Sequence, residues 1–385
     1  MPHPRQACIV GLYVTQQAKS LTDRTSSDLT AEAVLGALDD AGLSPHDVDG
    51  GAVHCPWAPG IDNGAALAGF LGAKLALTMN DGLDQAGARG VAKMAAAIEM
   101  GLCDVGVVGS ARAGAWSQDG AKVGAVMGLE FTDPYGPSTM AHFALVARRY
   151  MHQYGVGPEG FATVAATIRN HGAVNPEAVM FGPKRYTVED VLSARMIASP
   201  FTLLDCCLVN EGGCALVMTT WERARELRQT PVLVLGAGME MLRLNYSAPP
   251  RFEEAMALGK DAAARAFGRA GVTVADVDMF SLYDAVSFEV LRQFEMLGLC
   301  APGEGGEFVK GGRLSRDGDC PTNLDGGLLS HSWTGSGQLT LKVIEGVRQL
   351  RRTCGDRQVG DAEVALVTNA GSGAHHTEMV VLGRA

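Results

Sequence analysis

The stretch AGLSPHDVD at residues 41–49 recurs in the second half of the chain as AGVTVADVD at residues 270–278. Each copy follows an amphipathic stretch, 29–40 or 255–269, whose apolar residues stand at helical spacing. The glycine at the second position of each copy suits the left-handed residue that ends a helix, and each copy leads toward a short apolar run. We therefore predict two related β-α-β halves.

A second pair of similar segments supports this prediction. A helical pattern at 93–100 precedes the apolar run CDVGVVG at 103–109, and a helical pattern at 341–350 precedes AEVALV at 362–367. The spacing differs from that of the first repeat, so the halves carry different insertions. Helix–glycine–strand joints are also common in α/β proteins in general, and this is the alternative explanation of both repeats.

The segment from about 116 to 200 lies outside both halves and is richer in aromatic and basic residues. Helical patterns run over 140–154, 159–171 and 188–197. The third pattern follows Thr187, and Asp190 is placed to complete a capping box with it. We predict an inserted helical subdomain.

The composition excludes several classes of protein. The 385 residues carry a net charge of −10 without a long run of lysine or arginine, which argues against nonspecific binding to nucleic acid. No stretch reaches the length of an uninterrupted apolar membrane span, and the N-terminus lacks the pattern of a signal peptide. The 9 cysteines, without framework or metal-ligand spacing, are expected to be thiols of a reducing compartment. We predict a cytoplasmic α/β protein without a metal site.

Four groups of segments, in order along the chain, carry a resemblance to a known family. They are YGV, NPEA and YTVEDVL between 154 and 192, PFTLLDCC and EGGCA between 200 and 215, LYDAV at 282–286, and NLDGGLLS at 323–330. In these segments the sequence resembles the thiolases over essentially the whole chain, and it is most similar to their sterol-carrier or lipid-transfer-protein branch.

The resemblance implies an α/β thiolase fold, in which two similar halves form a five-layered α-β-α-β-α core. It divides the chain into an N-terminal thiolase-like domain, 1–229, and a C-terminal thiolase-like domain, 230–385. The helical loop domain at about 116–200 is inserted in the first of these.

The resemblance also locates the position of the nucleophilic cysteine of the thiolases. Alignment from GLCDV at 101–105 places this position at Asp84, and no single-residue shift restores a cysteine. An aspartate at the start of a helix is a good N-terminal cap, and it can also act as a base or position a water beside a thioester.

The Gly-His-Pro motif of the family is altered as well. Alignment without gaps places Trp333 at the position of its histidine, so we group Trp333 with the residues that shape the oxyanion turn. His331 reaches the position of the histidine only if two residues are deleted. Otherwise His331 is expected to be a solvated loop residue.

The third family motif reads TNAGSGAHH at 368–376 and also lacks its cysteine. The turn formed by Asn369, Gly371 and Gly373 is expected to present backbone N–H groups to an oxyanion. His375 and His376 can replace the cysteine as a base, or they can simply lie at the end of the loop.

Tyr283 stands where the family has the asparagine of its Asn-Glu-Ala-Phe loop. A phenol can shuttle a proton and an amide cannot, although a buried tyrosine with a satisfied hydroxyl is the structural alternative. The Tyr-Asp-Ala pattern resembles thiolase-fold retro-aldolases that act on CoA thioesters of steroid side chains and lack the cysteine nucleophile. Their second catalytic tyrosine aligns near His331, where this sequence has no tyrosine.

The loss of both cysteine and histidine removes the means of forming an acyl-enzyme. Our leading hypothesis is therefore retro-aldol cleavage of a β-hydroxyacyl-CoA in lipid metabolism or steroid degradation. Tyr283, with Asp84 or His331, would transfer protons, and the glycine turn would hold the enolate oxygen. The alternatives are an acyltransferase with a non-standard or partner-supplied site, in which His331 or His375 is the base, and a noncatalytic CoA-ester-binding subunit of a heteromeric complex.

The resemblance further implies coenzyme A as part of the substrate, no covalently bound cofactor, and a homodimer paired through its N-terminal sheets. A small OB-fold protein with a zinc ribbon is a candidate partner. The basic residues of the insertion are candidates for holding the CoA phosphates: Arg148, Arg149, Arg169 and Lys184.

Overall fold

A computed structural model describes residues 2–54, 63–79, 87–114, 139–242, 251–371 and 375–385. The strands are β1 (Ala7–Val14), β2 (Gly50–His54), β3 (Leu77–Thr78), β4 (Val105–Arg112), β5 (Met196–Ala198), β6 (Phe201–Thr202), β7 (Gly212–Thr220), β8 (Val232–Met241), β9 (Met279–Ser281), β10 (Val364–Gly371) and β11 (His376–Arg384). The helices are α1 (Ser26–Ala41), α2 (Asn63–Leu71), α3 (Gly87–Met100), α4 (Thr139–Tyr154), α5 (Glu159–Gly172), α6 (Val188–Leu192), α7 (Trp221–Ala224), α8 (Phe252–Ala257), α9 (Lys260–Ala270), α10 (Ser287–Met296), α11 (Gly305–Phe308) and α12 (Ser336–Leu350). None of the helices in these ranges is long and apolar enough to cross a lipid bilayer.

The strands of the N-terminal half lie in the order β3-β2-β4-β7-β1. β2 runs parallel to β3 and β4, whereas β7 is antiparallel to both β4 and β1. β7 is buried along its whole length, as expected for a central strand that is covered on both faces.

The C-terminal half repeats this arrangement. Its strands lie in the order β9-β10-β11-β8, with β9 parallel to β10 and β11 antiparallel to β10 and β8. The halves join where Cys8 and Ile9 of β1 pair with Leu233 and Val232 of β8. The repeated stretches of the sequence occupy the same place in each half, which confirms the prediction of two related halves. The domain division at 229/230 falls just before β8 and stays a prediction.

Helices complete the predicted five layers. α1 covers one face of the N-terminal sheet, and α9 covers the corresponding face of the C-terminal sheet. α3 and α12 pack against each other and against strands of both sheets, so they form the middle layer. An apolar cluster fills this layer, with Val91 and Ile98 from α3 and Val343 and Val347 from α12.

The outer helices approach their sheets at glycines. A Cβ on Gly11 of β1 would overlap the carbonyl of Ala37 on α1, and a Cβ on Gly236 of β8 would overlap the carbonyl of Ala266 on α9. Each helix then ends at the left-handed glycine of the repeated stretch. The two halves therefore share the same order of elements and also the same close contact between the backbone of a strand and that of its outer helix.

The insertion is helical, as predicted, and α4 and α5 follow the two longer patterns. The capping box at the start of α6 is formed, because Thr187 Oγ1 accepts the N–H of Asp190 (3.1 Å) and the Asp190 carboxylate accepts the N–H of Thr187 (2.7 Å). The prediction of a helix over 188–197 is wrong in its second half. There the chain turns away so that Met196 pairs with Thr202 in the β5–β6 ribbon.

The predicted helix over 255–269 is divided into α8 and α9. The break includes Gly259, which adopts φ 108° and donates its N–H to Oε2 of Glu240 (3.1 Å). A left-handed residue interrupts a helix, yet the apolar spacing of the sequence continues across it. The pattern alone therefore does not show the break.

Candidate active site

Three elements meet at the first residue of α3. The N–H of Gly87 donates to Oγ1 of Thr340 in the first turns of α12 (3.0 Å). A Cβ on Gly87, whose φ is 69°, would overlap the side chains of Asn369 on β10 and Leu339 on α12. The starts of the two central helices therefore lie side by side against the end of β10. Because a helix N-terminus carries partial positive charge, this junction favours a bound negative charge.

Asn369 holds the start of α3 from the side of β10. With its amide oriented so that both atoms find partners, its oxygen accepts the N–H of Ala88 (3.0 Å) and its nitrogen donates to the carbonyl of Thr368 (2.7 Å). Asn369 is fully buried. Its carboxamide therefore serves as a cap for α3 and joins the two halves.

Tyr283 is fixed through its main chain just after β9. Its N–H donates to Oγ1 of Thr368 (2.9 Å), and its carbonyl accepts from Nε2 of Gln293 on α10 (2.8 Å). The Tyr283 side chain belongs to an apolar cluster that also contains Ala370 at the end of β10, with Trp333 packed against it. Tyr283 thus sits beside the end of β10 on a backbone that is held from two elements.

The next residue, Asp284, forms a fully buried ion pair with Lys342 of α12. Its Oδ1 lies 2.8 Å from Nζ of Lys342, and both side chains are 0% exposed. The carboxylate also accepts the N–H of Leu328 (3.0 Å). Burial raises the pKa of Asp284, while the charge of Lys342 opposes this effect. The pair anchors the loop that carries Tyr283 to the middle layer.

His331 ends a π-helical turn, Gly327–His331, and is buried. Its Nδ1 lies 2.8 Å from Oδ2 of Asp325, while Oδ1 of Asp325 accepts the N–H of Gly327 (3.0 Å). Burial would raise the pKa of Asp325, but the hydrogen bond and charge of His331, together with Lys342, hold it well below its usual range. His331 is therefore an oriented, buried histidine and not the solvated loop residue that was one of the two expectations.

A second histidine lies opposite the end of β10. His375, next to β11, and His142 of α4 are both buried, with ring centroids 6.1 Å apart. Burial lowers the pKa of His142, so its neutral form is favoured. His142 comes from the insertion, and its neighbour Phe143 belongs to the same apolar cluster as Tyr283. The insertion thus contributes α4 to the apolar cluster that contains Tyr283.

Comparison with known proteins places this geometry in a family. The family described as thiolase C-terminal domain-like matches residues 249–384. The chain is 35% identical to 17-hydroxy-3-oxo-4-pregnene-20-carboxyl-CoA lyase of Mycobacterium tuberculosis, over 98% of this chain and 99% of that protein. The chain belongs to the thiolase superfamily.

Other relatives agree with this assignment. A steroid side-chain-cleaving aldolase of Thermomonospora curvata is 34% identical over 99% of this chain and 98% of its own length. The solved structure of an Ltp2-ChsH2(DUF35) aldolase superposes with a TM-score of 0.86 at 32% identity, covering 99% of this chain and 98% of that one. Human mitochondrial 3-ketoacyl-CoA thiolase shares the fold, with a TM-score of 0.70 at 16% identity. The thiolase fold and the aldolase-like branch are thereby confirmed.

Some of the thiolase-superfamily positions predicted from the sequence lie outside the described residues. These are Asp84, three residues before α3, and Gly373, two residues after the end of β10. The main chain of Gly371 pairs with His376 as the last rung between β10 and β11. The described part of the structure brings Tyr283 and Trp333 together with the end of β10. His331, by contrast, is paired with Asp325.

Of the four basic residues predicted to hold the CoA phosphates, Arg169 has a different role. It is buried and donates to the carbonyls of Leu204 (2.8 Å) and Cys206 (2.9 Å), so it supports the main chain that follows β6. We correct its assignment to a structural one. The other three are exposed: Arg148 and Arg149 on α4, and Lys184 before α6. For these three, phosphate binding stays a prediction.

The sequence did not single out the residues that support Tyr283. Asp284 and Asp325 stand inside the quoted segments LYDAV and NLDGGLLS, so their position next to candidate residues was the available signal. Lys342 and Gln293 stand in ordinary helical patterns, and nothing in those patterns sets them apart.

Proposed function

We propose that this protein cleaves the Cα–Cβ bond of a β-hydroxyacyl-CoA thioester by a retro-aldol reaction. The observation that carries the proposal is the combination of a full-length match to two enzymes named for such cleavage with a buried, firmly held Tyr283 beside the end of β10. The sequence has no cysteine at either family position where thiolases use one.

In the proposed reaction a base, for which Tyr283 is our candidate, takes the proton of the β-hydroxyl group. The β-carbon becomes a carbonyl as the Cα–Cβ bond breaks, and the electron pair of that bond forms the enolate of the thioester. Protonation of the α-carbon then releases the shortened acyl-CoA. We place the enolate oxygen near the starts of α3 and α12, where the helix dipoles stabilise negative charge, and the turn of Asn369, Gly371 and Gly373 remains our candidate for its hydrogen-bond donors. No covalent intermediate is needed.

The substrate class follows from the name of one relative. In a 17-hydroxy-20-carboxyl-CoA steroid the hydroxyl group stands on the carbon β to the thioester, so cleavage gives a ring ketone and a short acyl-CoA. We propose that this chain acts on a thioester of the same class, with a bulky polycyclic or branched group on the β-carbon. Arg148, Arg149 and Lys184 are our candidates for holding its CoA phosphates.

The test replaces the phenol of Tyr283. The purified protein, with and without a co-encoded partner, is incubated with steroid β-hydroxyacyl-CoA thioesters, and the products are followed by mass spectrometry. We expect Tyr283→Phe to lower the cleavage rate by about 10²- to 10⁴-fold, the usual effect of losing a general acid–base group. Tyr13→Phe is the matched control, because Tyr13 is exposed and its hydroxyl contacts Glu32 at the surface.

Unchanged cleavage by Tyr283→Phe would show that another group is the base. If the wild-type protein binds CoA esters but turns over none of them with any partner, the noncatalytic-subunit hypothesis replaces this one.

Acyl transfer through a cysteine is not supported by the described thiols. Burial raises the pKa of Cys103 and of Cys206 to about 12, so neither is a thiolate at neutral pH. We expect iodoacetamide at pH 8 to leave both unmodified in the folded protein and to label both after unfolding, as read by peptide mass spectrometry. Rapid labelling of either one in the folded protein would favour the acyltransferase. Cys55 lies outside the described residues.

We also propose that the protein works with a small partner that has an OB fold and a zinc ribbon. Support comes from the solved Ltp2-ChsH2(DUF35) aldolase, whose name joins two components. Co-purification of the chain with the product of a neighbouring gene, and a rise in cleavage rate when the two are mixed, would be the expected results. Full activity of the chain alone would count against this partner.

A further inference from the structure

A cavity of about 510 Å³ lies at the C-terminal end of α12, at the opposite end of this helix from the candidate active site. Thr340, near the start of α12, touches α3 at the site, whereas Arg348 in its last turn lines the cavity. Eight residues of helix span about 12 Å, so the cavity is distinct from the place where Tyr283 lies. Two of its lining residues, Glu177 and Arg357, nevertheless lie near enough to His331 and Asp325 to interact with their charges.

Three arginines and two carboxylates line this space, which we call the arginine cavity. The arginines are Arg348 and Arg351 at the end of α12 and Arg357 after it, and the carboxylates are Asp40 of α1 and Glu177 after α5. The side chains of the three arginines are 18%, 6% and 12% exposed. The lining itself carries one more positive than negative charge, and Glu345, which pairs with Arg357 from outside the lining, balances it. The case for a ligand therefore depends on how firmly each arginine is paired.

Two of the arginines have close carboxylate partners. Arg348 forms a two-pronged pair with Glu177, whose second contact is 3.1 Å, and Arg357 lies 2.7 Å from Glu345. Of these two carboxylates, that of Glu177 lines the cavity and that of Glu345 does not, among the described residues. The Glu177 carboxylate accepts from both terminal nitrogens of the Arg348 guanidinium, where an anionic ligand would otherwise bind.

Arg351 is less well paired. Its nearest carboxylate oxygen, Oδ2 of Asp40, is 3.4 Å away and already accepts the N–H of Leu12 (3.0 Å). Its Nε donates to the carbonyl of Thr230 (2.9 Å), so the two terminal nitrogens of the guanidinium have only long contacts among the described residues. A nearly buried guanidinium with loosely held donors gains most from an anion that accepts from its fork.

We propose that the arginine cavity binds a small multivalent oxyanion, an organic phosphate or a polycarboxylate, at a site separate from that of the CoA thioester. Arg351 supplies the central fork, and Arg348 turns from Glu177 to the ligand or shares its donors between the two. The volume of the cavity exceeds that of a single phosphate group, so the anion can carry an organic part.

The test measures binding of inorganic pyrophosphate and of citrate to the full chain by calorimetry, at constant ionic strength. We expect saturable binding of at least one of them with a Kd below about 1 mM. Arg351→Gln should weaken it at least about tenfold, since a charged hydrogen-bonding fork is lost. Arg225→Gln is the matched control, because Arg225 is exposed and does not line the cavity.

A second variant separates a binding site from a set of structural ion pairs. Glu177→Gln removes the internal competitor of the ligand, so we expect it to tighten anion binding several-fold. If Arg351→Gln does not fold, as judged by circular dichroism, the result for Glu177→Gln decides. Binding of pyrophosphate alone would identify a phosphate ligand, binding of citrate alone a polycarboxylate, and binding of both the shared chemistry.

Three outcomes would overturn the proposal: no saturable binding of either anion, equal binding by the Arg351→Gln and Arg225→Gln proteins, or unchanged binding in Glu177→Gln. A CoA ester serves as the internal comparison. Its binding should survive Arg351→Gln if the two sites are separate.

Discussion

At the scale of single residues, the strongest constraint on the candidate site is the buried pair of Asp284 and Lys342. It holds the loop that carries Tyr283 against α12, and neither partner is exposed. Such a pair contributes little net stability compared with apolar residues, but the loss of one partner leaves a charge buried without compensation. The pair therefore specifies the position of the loop more than it stabilises the fold.

We expect Lys342→Met to lower the free energy of unfolding by about 3–5 kcal/mol, because the Asp284 carboxylate then remains buried alone. Lys310→Met is the control. Lys310 pairs with Glu307 on the surface, and its loss should cost less than about 1 kcal/mol. Urea unfolding followed by circular dichroism measures both. If the two variants lose the same stability, the buried pair does not constrain the loop.

The sequence predicts Tyr283 and His331 as candidate residues, but it does not predict what holds them. Tyr283 depends on Thr368 and Gln293, which are distant in the chain, and His331 depends on Asp325 in the same segment. Local patterns report helices, strands and turns. They contain no information about which distant side chains meet inside the fold.

At the scale of elements, the close contact of Gly11 with α1 and of Gly236 with α9 sets the packing of the outer helices. At both positions the carbonyl of a helix residue occupies the place of a side chain. Sequence periodicity predicts the helices themselves well, since α1, α4 and α5 appear where their patterns are. It fails where a tertiary contact ends a helix early, as in α6, or where a left-handed glycine divides one, as between α8 and α9.

We expect Gly11→Ala to lower the free energy of unfolding by about 1–3 kcal/mol, because the added methyl group pushes α1 away from β1. Gly268→Ala is the control within a helix. A Cβ there meets nothing within 4 Å, so this change should raise stability by up to about 1 kcal/mol through helix propensity. Thermal unfolding shows whether each variant is less or more stable than the wild-type protein. Equal effects would mean that α1 tolerates the displacement.

At the scale of the whole molecule, we expect a homodimer that pairs through the N-terminal sheet. In the described part of that sheet β3 is an edge strand. The N–H groups of Leu77 and Met79 donate to main-chain carbonyls on the β2 side. Because successive N–H groups of a strand point to opposite sides, the N–H group of Thr78 points away from β2. Light scattering should give twice the chain mass of 40.3 kDa.

Thr78→Pro tests this edge, since proline removes the outward donor and blocks pairing with a second chain. We expect the variant to shift toward the monomer while keeping its circular dichroism spectrum, and Thr78→Ser to remain dimeric. A monomeric wild-type protein would contradict the expectation.

An origin by gene duplication would account for the place of the candidate site between α3 and α12 in a chain with two similar halves. These helices occupy equivalent places in the two halves, so they meet where two copies of an ancestral chain would have met. A site at the contact between two identical copies has to be symmetric. In a single fused chain each copy changes on its own, so the second half can supply Tyr283 and Asn369 while the first supplies the start of α3. Fusion thereby permits an asymmetric site, as an asymmetric reaction requires.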